Sequence, residues 1–152
     1  MDLRLEVVQV PVSDVDRAKR FYTEKVGFHA DHDTRLNDAV RVVQLTPPGS
    51  ACSIVIGSGL SEMKPGCLEG LQLTVTDMDQ VRGELVGRGV DVSDVKVLGR
   101  PGRPGFRHAY FHDPDGNGWA LQEIPAHDQR RQAIGPGGLR ALSRPTTASV
   151  EQ

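Results

Sequence analysis

Polar and apolar residues alternate at the start of the chain, in LEVVQV from Leu5, with the period of a half-buried strand. Sixty-three residues later the pattern returns as LEGLQLTV from Leu68. Extended to twelve positions, LEVVQVPVSDVD and LEGLQLTVTDMD share Leu, Glu, Gln, Val and two Asp residues. Each copy then changes period. Val15, Ala18 and Tyr22 recur at helical spacing, as do Met78, Val81 and Leu85. Ser13 with Asp16, and Thr76 with Asp79, form capping-box-like helix starts. Gly27 ends the first helix, and Gly87 or Gly89 the second.

The second half of each copy reads as strand, Pro/Gly turn, strand. RVVQLTPPGSACSIVIG from Arg41 matches RHAYFHDPDGNGWALQEI from Arg107, with one gap in the turn. Two βαβββ modules follow, at residues 4–58 and 67–124, joined by GSGLSEMKPG. One helix cannot cover both faces of its sheet. The expectation is therefore an α+β fold: two tandem modules forming a curved mixed sheet around a cavity, with the helices outside. A concave face of this kind is where small molecules bind. Residues 1–124 then form a single domain. Residues 125–152 are polar and carry GPGG, and read as a C-terminal tail. The alternative is that Ile134, Leu139 and Leu142 dock it on the body or on a second subunit.

Composition narrows the function. The net charge of -2 leaves no electrostatic footprint for nucleic acid. The arginines between Arg100 and Arg107 are interleaved with Gly and Pro, which reads as a loop; a basic patch for an anion is the alternative. No apolar run approaches about 18 residues, so no membrane-spanning helix is expected. The start has no signal-peptide pattern. Cys52 and Cys67 have no metal-type spacing and read as buried structural thiols. These features predict a cytoplasmic protein.

VPVSDVDRAKRFYTEKVGF and YFHDPDGNGWALQEI resemble the vicinal oxygen chelate superfamily, which includes glyoxalases, extradiol dioxygenases and bleomycin-binding proteins. The resemblance spans residues 4–124. It implies a metal held by His, Gln and Glu at positions that fall here on Val7, Gly70, Ala120 and, by the repeat, about Ser53. Val, Gly and Ala side chains offer no ligand atom, and Ser is a poor ligand alone. No metal and no other cofactor is therefore expected at the usual site. Glu123 lies three residues beyond Ala120 and points to the opposite face by strand alternation.

The same parity turns Gln9, Gln72, Thr74 and Gln122 toward the cavity. The resemblance places His108 and Tyr110 there too, with His112 of the same parity, and brings in His32 from FHADHD. The candidate substrate-binding set is Gln9, His32, Gln72, His108, Tyr110 and Gln122. Each also has a structural reading: shared architecture for the glutamines, a satisfied core for His108, packing for Tyr110, a solvated edge for His32. Asp113, Asp115, Gly116 and Asn117 read as turn chemistry, and Trp119 as a helix or subunit contact. A relocated metal site at His32, His108 and His112, with Asp33 or Asp113, is the alternative.

By this reading the protein is a metal-independent small-molecule binder similar to bleomycin-type sequestration proteins. The resemblance implies a homodimer. A competing reading is a lyase, isomerase or ring-opening enzyme, with His108 as general acid or base and Tyr110 at an oxyanion. A partner domain with a filled cavity is the third.

Overall fold

The structure, a computed structural model, describes residues 1–103 and 105–124. The tail, with Ile134, Leu139 and Leu142, lies outside the described residues. The first module runs β1 (Val7–Gln9), α1 (Val15–Arg20) with a π-helical continuation (Phe21–Val26), β2 (His29–Arg35), β3 (Arg41–Thr46) and β4 (Ser53–Ser58). The second runs β5 (Leu71–Val75), α2 (Met78–Gly87), β6 (Lys96–Leu98), β7 (Phe106–His112) and β8 (Gly118–Glu123).

The two modules repeat one topology, in the α+β class that the sequence predicts. The sheets have the orders β1-β4-β3-β2 and β5-β8-β7-β6. In each, the first strand pairs parallel to the last, and the hairpins pair antiparallel. Strands hydrogen-bond only within their own module, so the curved surface consists of two four-stranded sheets, each with its helix on one face.

Both helices begin one residue later than the capping-box reading suggests. Asp14 and Asp77 are the N-caps, and their carboxylates accept from Arg17 N and Gln80 N, each at 3.0 Å. Ser13 is thereby free for a different contact, described below. The first helix ends at Gly27, whose φ of 90° suits glycine. Before it, the helix widens into a π-turn that buries Phe21 and Tyr22. The second reaches Gly87, and Gly89 takes the left-handed conformation.

A single apolar core joins the helix-side faces of both sheets. Val43, Leu45, Ile54 and Ile56 supply the first sheet's share, and Ala109, Phe111, Trp119 and Leu121 the second's. Between them the aromatic rings interlock. Tyr22 stacks on Phe28 and meets Trp119 edge-on, and Trp119 stacks on Phe111 at 6.1 Å. Trp119 is thus a helix-side residue, as its parity predicts. Neither cysteine is a buried thiol: Cys52 is half-buried and Cys67 exposed, both unpaired.

The DPDGN turn does more than reverse the chain. Asp113 is buried, and its Oδ1 accepts from the backbone N–H groups of Asp115, Gly116 and Asn117. Its Oδ2 accepts from Asn117 Nδ2 at 2.7 Å and from Tyr22 Oη at 2.8 Å. Trp119 Nε1 donates to the same phenol oxygen at 3.0 Å. Burial and the Asp113 carboxylate hold the Tyr22 phenol protonated, well above the usual phenol range. Asn117 Nδ2 also donates to Pro11 O, and Asn117 Oδ1 accepts from Leu68 N. Asp115 accepts from Ser13 N, Ser13 Oγ and Arg17 across the modules. These turn residues latch the second module onto the first helix and onto the linker.

Two outcomes follow from the latch. Tyr22→Phe removes a donor to a buried carboxylate and should cost about 1–3 kcal/mol, read as a lower midpoint in thermal or urea unfolding. Gly66, at φ 79°, passes so close to the turn that an added Cβ would lie 1.9 Å from Asp115 O. Gly66→Ala should therefore destabilise by more than the roughly 1 kcal/mol of an ordinary backbone misfit, whereas Gly83→Ala in α2, which meets nothing within 4 Å, should be neutral or stabilising in the same assay.

Candidate functional site

Strand register decides which side chains leave the core. In the second sheet, Gln72, Ala120 and Tyr110 lie side by side in one row, and Thr74, Gln122, His108 and Lys96 in the next row on the same face. The alternate rows, Leu71–Trp119–Phe111 and Leu73–Leu121–Ala109, enter the core. The open face is thus polar across its centre. His112 continues it beside Gly118.

Four of the six candidate binding residues share this surface: Gln72, His108, Tyr110 and Gln122. Gln72 Nε2 donates to Gln122 Oε1 in a close contact, which couples the two amides. His108 Nδ1 lies 3.1 Å from Phe106 O, an atom that can only accept, so Nδ1 is the donor of that contact. Gln72 also borders a hollow of about 250 Å³ against the Pro47–Ser50 turn of the first module. A second hollow of about 310 Å³ runs along β5, between Leu5, Val8 and Ser53 on one side and Leu71, Gln72 and Trp119 on the other.

Gln9 and His32 lie on the other sheet. They occupy one row, Gln9–Val55–Gln44–His32, at its two edges. Gln9 borders a hollow of about 210 Å³ roofed by Leu60 and Met63 of the linker. His32 is exposed.

Simple alternation breaks down in β2. Ala30 pairs with Leu45 and His32 with Gln44, so Asp31 is the extra residue of a β-bulge. The bulge turns Asp31 to the open face, where its Oδ2 accepts from Thr46 Oγ1 and, at 3.4 Å, from Gln44 Nε2. Ser53 Oγ lies 2.6 Å from Thr46 Oγ1, and Gln44 Nε2 also reaches it. Parity from the sequence misses Asp31. An unbroken count over HADHD puts it with the core, and nothing local in those residues marks the extra one.

The open faces do not supply the family-type metal site. Val7 stands opposite Ser53, and Gln9 opposite Val55, just as Gln72 stands opposite Ala120. The counterpart of Ala120 in the first module is therefore Val55, two residues on from Ser53. Val7, Val55, Gly70 and Ala120 bear no ligand atom, and Ser53 is already held by Thr46. The relocated site does not assemble either. His32 belongs to one sheet and His108 and His112 to the other, the latter two about 13 Å apart along β7. Among the described residues no group of three or more His, Cys, Asp or Glu side chains could hold a metal ion.

Glu123 lies on the helix side, where its carboxylate accepts from Met78 N at 2.7 Å and from Arg107. Arg107 is accordingly a strand residue, bound to Asp79 and Glu123, and not part of a loop. No helix of the described residues is long and apolar enough to cross a membrane.

The fold and both sequence patterns have known counterparts. The profile of the Glyoxalase/Bleomycin resistance protein/Dioxygenase superfamily matches residues 4–121. TnmS3, an antibiotic binding protein from Streptomyces sp. CB03234, is 35% identical, with a TM-score of 0.69 over 82% of this chain and 98% of that one. A glyoxalase/bleomycin resistance protein from the same organism is 37% identical, with a TM-score of 0.65 over 78% of this chain and 99% of that one. A superfamily member from Sphaerobacter thermophilus DSM 20745 is 31% identical, with a TM-score of 0.70 over 81% and 98%. No curated protein matches the sequence significantly. With two βαβββ modules, a DPDGN turn and a profile match across most of its length, the chain belongs to the Glyoxalase/Bleomycin resistance protein/Dioxygenase superfamily.

Proposed function

We propose that the protein binds and sequesters a bulky small organic molecule without a metal ion. One observation carries this reading: the positions where the superfamily resemblance implies metal ligands hold Val7, Gly70, Ala120 and Val55 or Ser53, while amides, a phenol and an imidazole line the same face. A surface of that kind orients an uncharged or aromatic molecule by hydrogen bonds and offers no Lewis acid to activate it. Its likeness to an antibiotic binding protein supports the same class of ligand. On this reading Gln72, His108, Tyr110 and Gln122 contact the ligand, and Gln9 and His32 contribute from the first module.

A homodimer completes the site in this proposal. Met1, Leu3 and Leu5 stand exposed ahead of β1, at the free edge of the first sheet. Leu98 and Phe106 are likewise exposed on the open face of the second sheet. A second copy would cover apolar surface of this extent and close the open faces. The cytoplasm is the compartment we assign to it.

The rival reading is a metal-free enzyme, favoured by the imidazole of His108 on the open face beside Tyr110. It needs turnover. The test is elemental analysis of protein purified without chelator, a thermal-shift titration with Mn, Fe, Co, Ni and Zn, and calorimetry with bleomycin and polycyclic aromatic antibiotics in the presence of EDTA. The expected outcome is no stoichiometric metal, no metal-induced shift, and antibiotic recovered unchanged from its complex. Stoichiometric metal with a stabilising shift, or chemical conversion of the antibiotic that His108→Ala abolishes, would sink the sequestration reading.

A further inference from the structure

The first module's open face carries a carboxylate, Asp31, with no lysine or arginine bound to it. On the helix side of the same sheet the Asp33 carboxylate is bound by two fixed cations. Arg41 pairs with Asp16 and Asp33 at 2.8 Å, and Lys19 reaches Asp33 at 2.9 Å. Across the sheet the strand residues of the open face include one carboxylate, Asp31, and no lysine or arginine. Its companions are the Thr46 hydroxyl, the Gln44 amide and the His29 ring, whose Nδ1 lies 3.1 Å from Oδ1. None is a fixed cation. Hydrogen bonds from Thr46 first, then His29, hold the Asp31 carboxyl below the usual carboxylate range, so it is ionised at neutral pH.

The surroundings are built to hold that carboxylate in place. Ser53, only 6% exposed, donates to Thr46, whose own proton goes to Asp31. The hydroxyl relay holds Oδ2, while Oδ1 has His29 Nδ1 as its partner; the Asp31 side chain is 28% exposed and the His29 ring 79%. Val55 and Val42 lie on the same face and give an apolar floor beside the charge. A β-bulge is what aims Asp31 here, and bulges recur where a side chain is re-aimed for a site.

We propose that Asp31, braced by Thr46 and Ser53, is a subsite for a protonated amine carried on an apolar body. This rests on the binding reading above and adds to it a ligand charge and the residue that recognises it. An ammonium would donate to Oδ1 while its apolar framework covers the valines. The neighbouring titratable groups on this face are His29 and His32, both exposed, and an ammonium at Oδ1 would take the place of His29 Nδ1.

The test uses the full chain and a matched pair of probes: an anthracycline bearing an amino sugar, and its neutral aglycone. Calorimetry at pH 7 and low salt reads the ratio of the two affinities. The expected result is a preference for the amine of about tenfold or more. Asp31→Asn should collapse that ratio toward one, and Asp31→Glu, which restores the charge, should recover part of it. Unfolding midpoints of both variants report whether they fold as the parent does. Equal affinities for the two probes in the parent would overturn the amine subsite while leaving the binding reading intact, and so would a preference that survives Asp31→Asn. If neither probe binds, the binding reading falls and takes the subsite with it.

Discussion

A single buried carboxylate organises this molecule. Asp113 gathers three backbone N–H groups on one oxygen and the Asn117 amide and Tyr22 phenol on the other. An ionised group inside a core is tolerable only when its hydrogen bonds are complete, and these are. Tyr22 belongs to the first module and Asp113 to the second. The same carboxylate therefore closes the turn through one oxygen and joins the modules through the other, and the rings of Phe28, Phe111 and Trp119 pack around it.

With the helix-side faces committed to one another, chemistry is left to the opposite faces. The two are not alike. The second sheet presents an array of amides with His108 and Tyr110, nearly free of charge at its centre. The first presents valines, hydroxyls and one carboxylate. The modules share a topology and an N-cap device at Asp14 and Asp77, yet they offer a ligand different things. The repeated topology supplies the architecture, and the open faces differ in the side chains they carry.

Much of this was legible in the chain. The repeat at Leu5 and Leu68, the change of period at each helix and the turn residues all act locally, so the α+β fold and the modules could be read directly. Parity then placed Gln72, Thr74, His108, Tyr110 and Gln122 on one face, because β5, β7 and β8 run without interruption. It failed at Asp31, where one unpaired residue shifts the count, and a bulge is settled by the partner strand and not by the residues themselves. The latch was hidden for the same reason: DPDGN is a sufficient turn on its own, and its contacts to Ser13, Arg17 and Tyr22 span about a hundred residues. The N-caps shifted by one position because Asp14 and Asp77 outcompete Ser13 and Thr76 for the first free N–H groups, and Ser13 is drawn away by Asp115.

The contact between Gln72 and Gln122 has a directional meaning. One amide spends its nitrogen on the other's oxygen, so the outward remainder of the pair is an oxygen on Gln72 and a nitrogen on Gln122. That order cannot be reversed at one residue without reversing it at both. A molecule lying across β5 and β8 therefore meets the two amides as one unit: it finds the acceptor-then-donor order as it stands, or both amides turn over together to present the reverse.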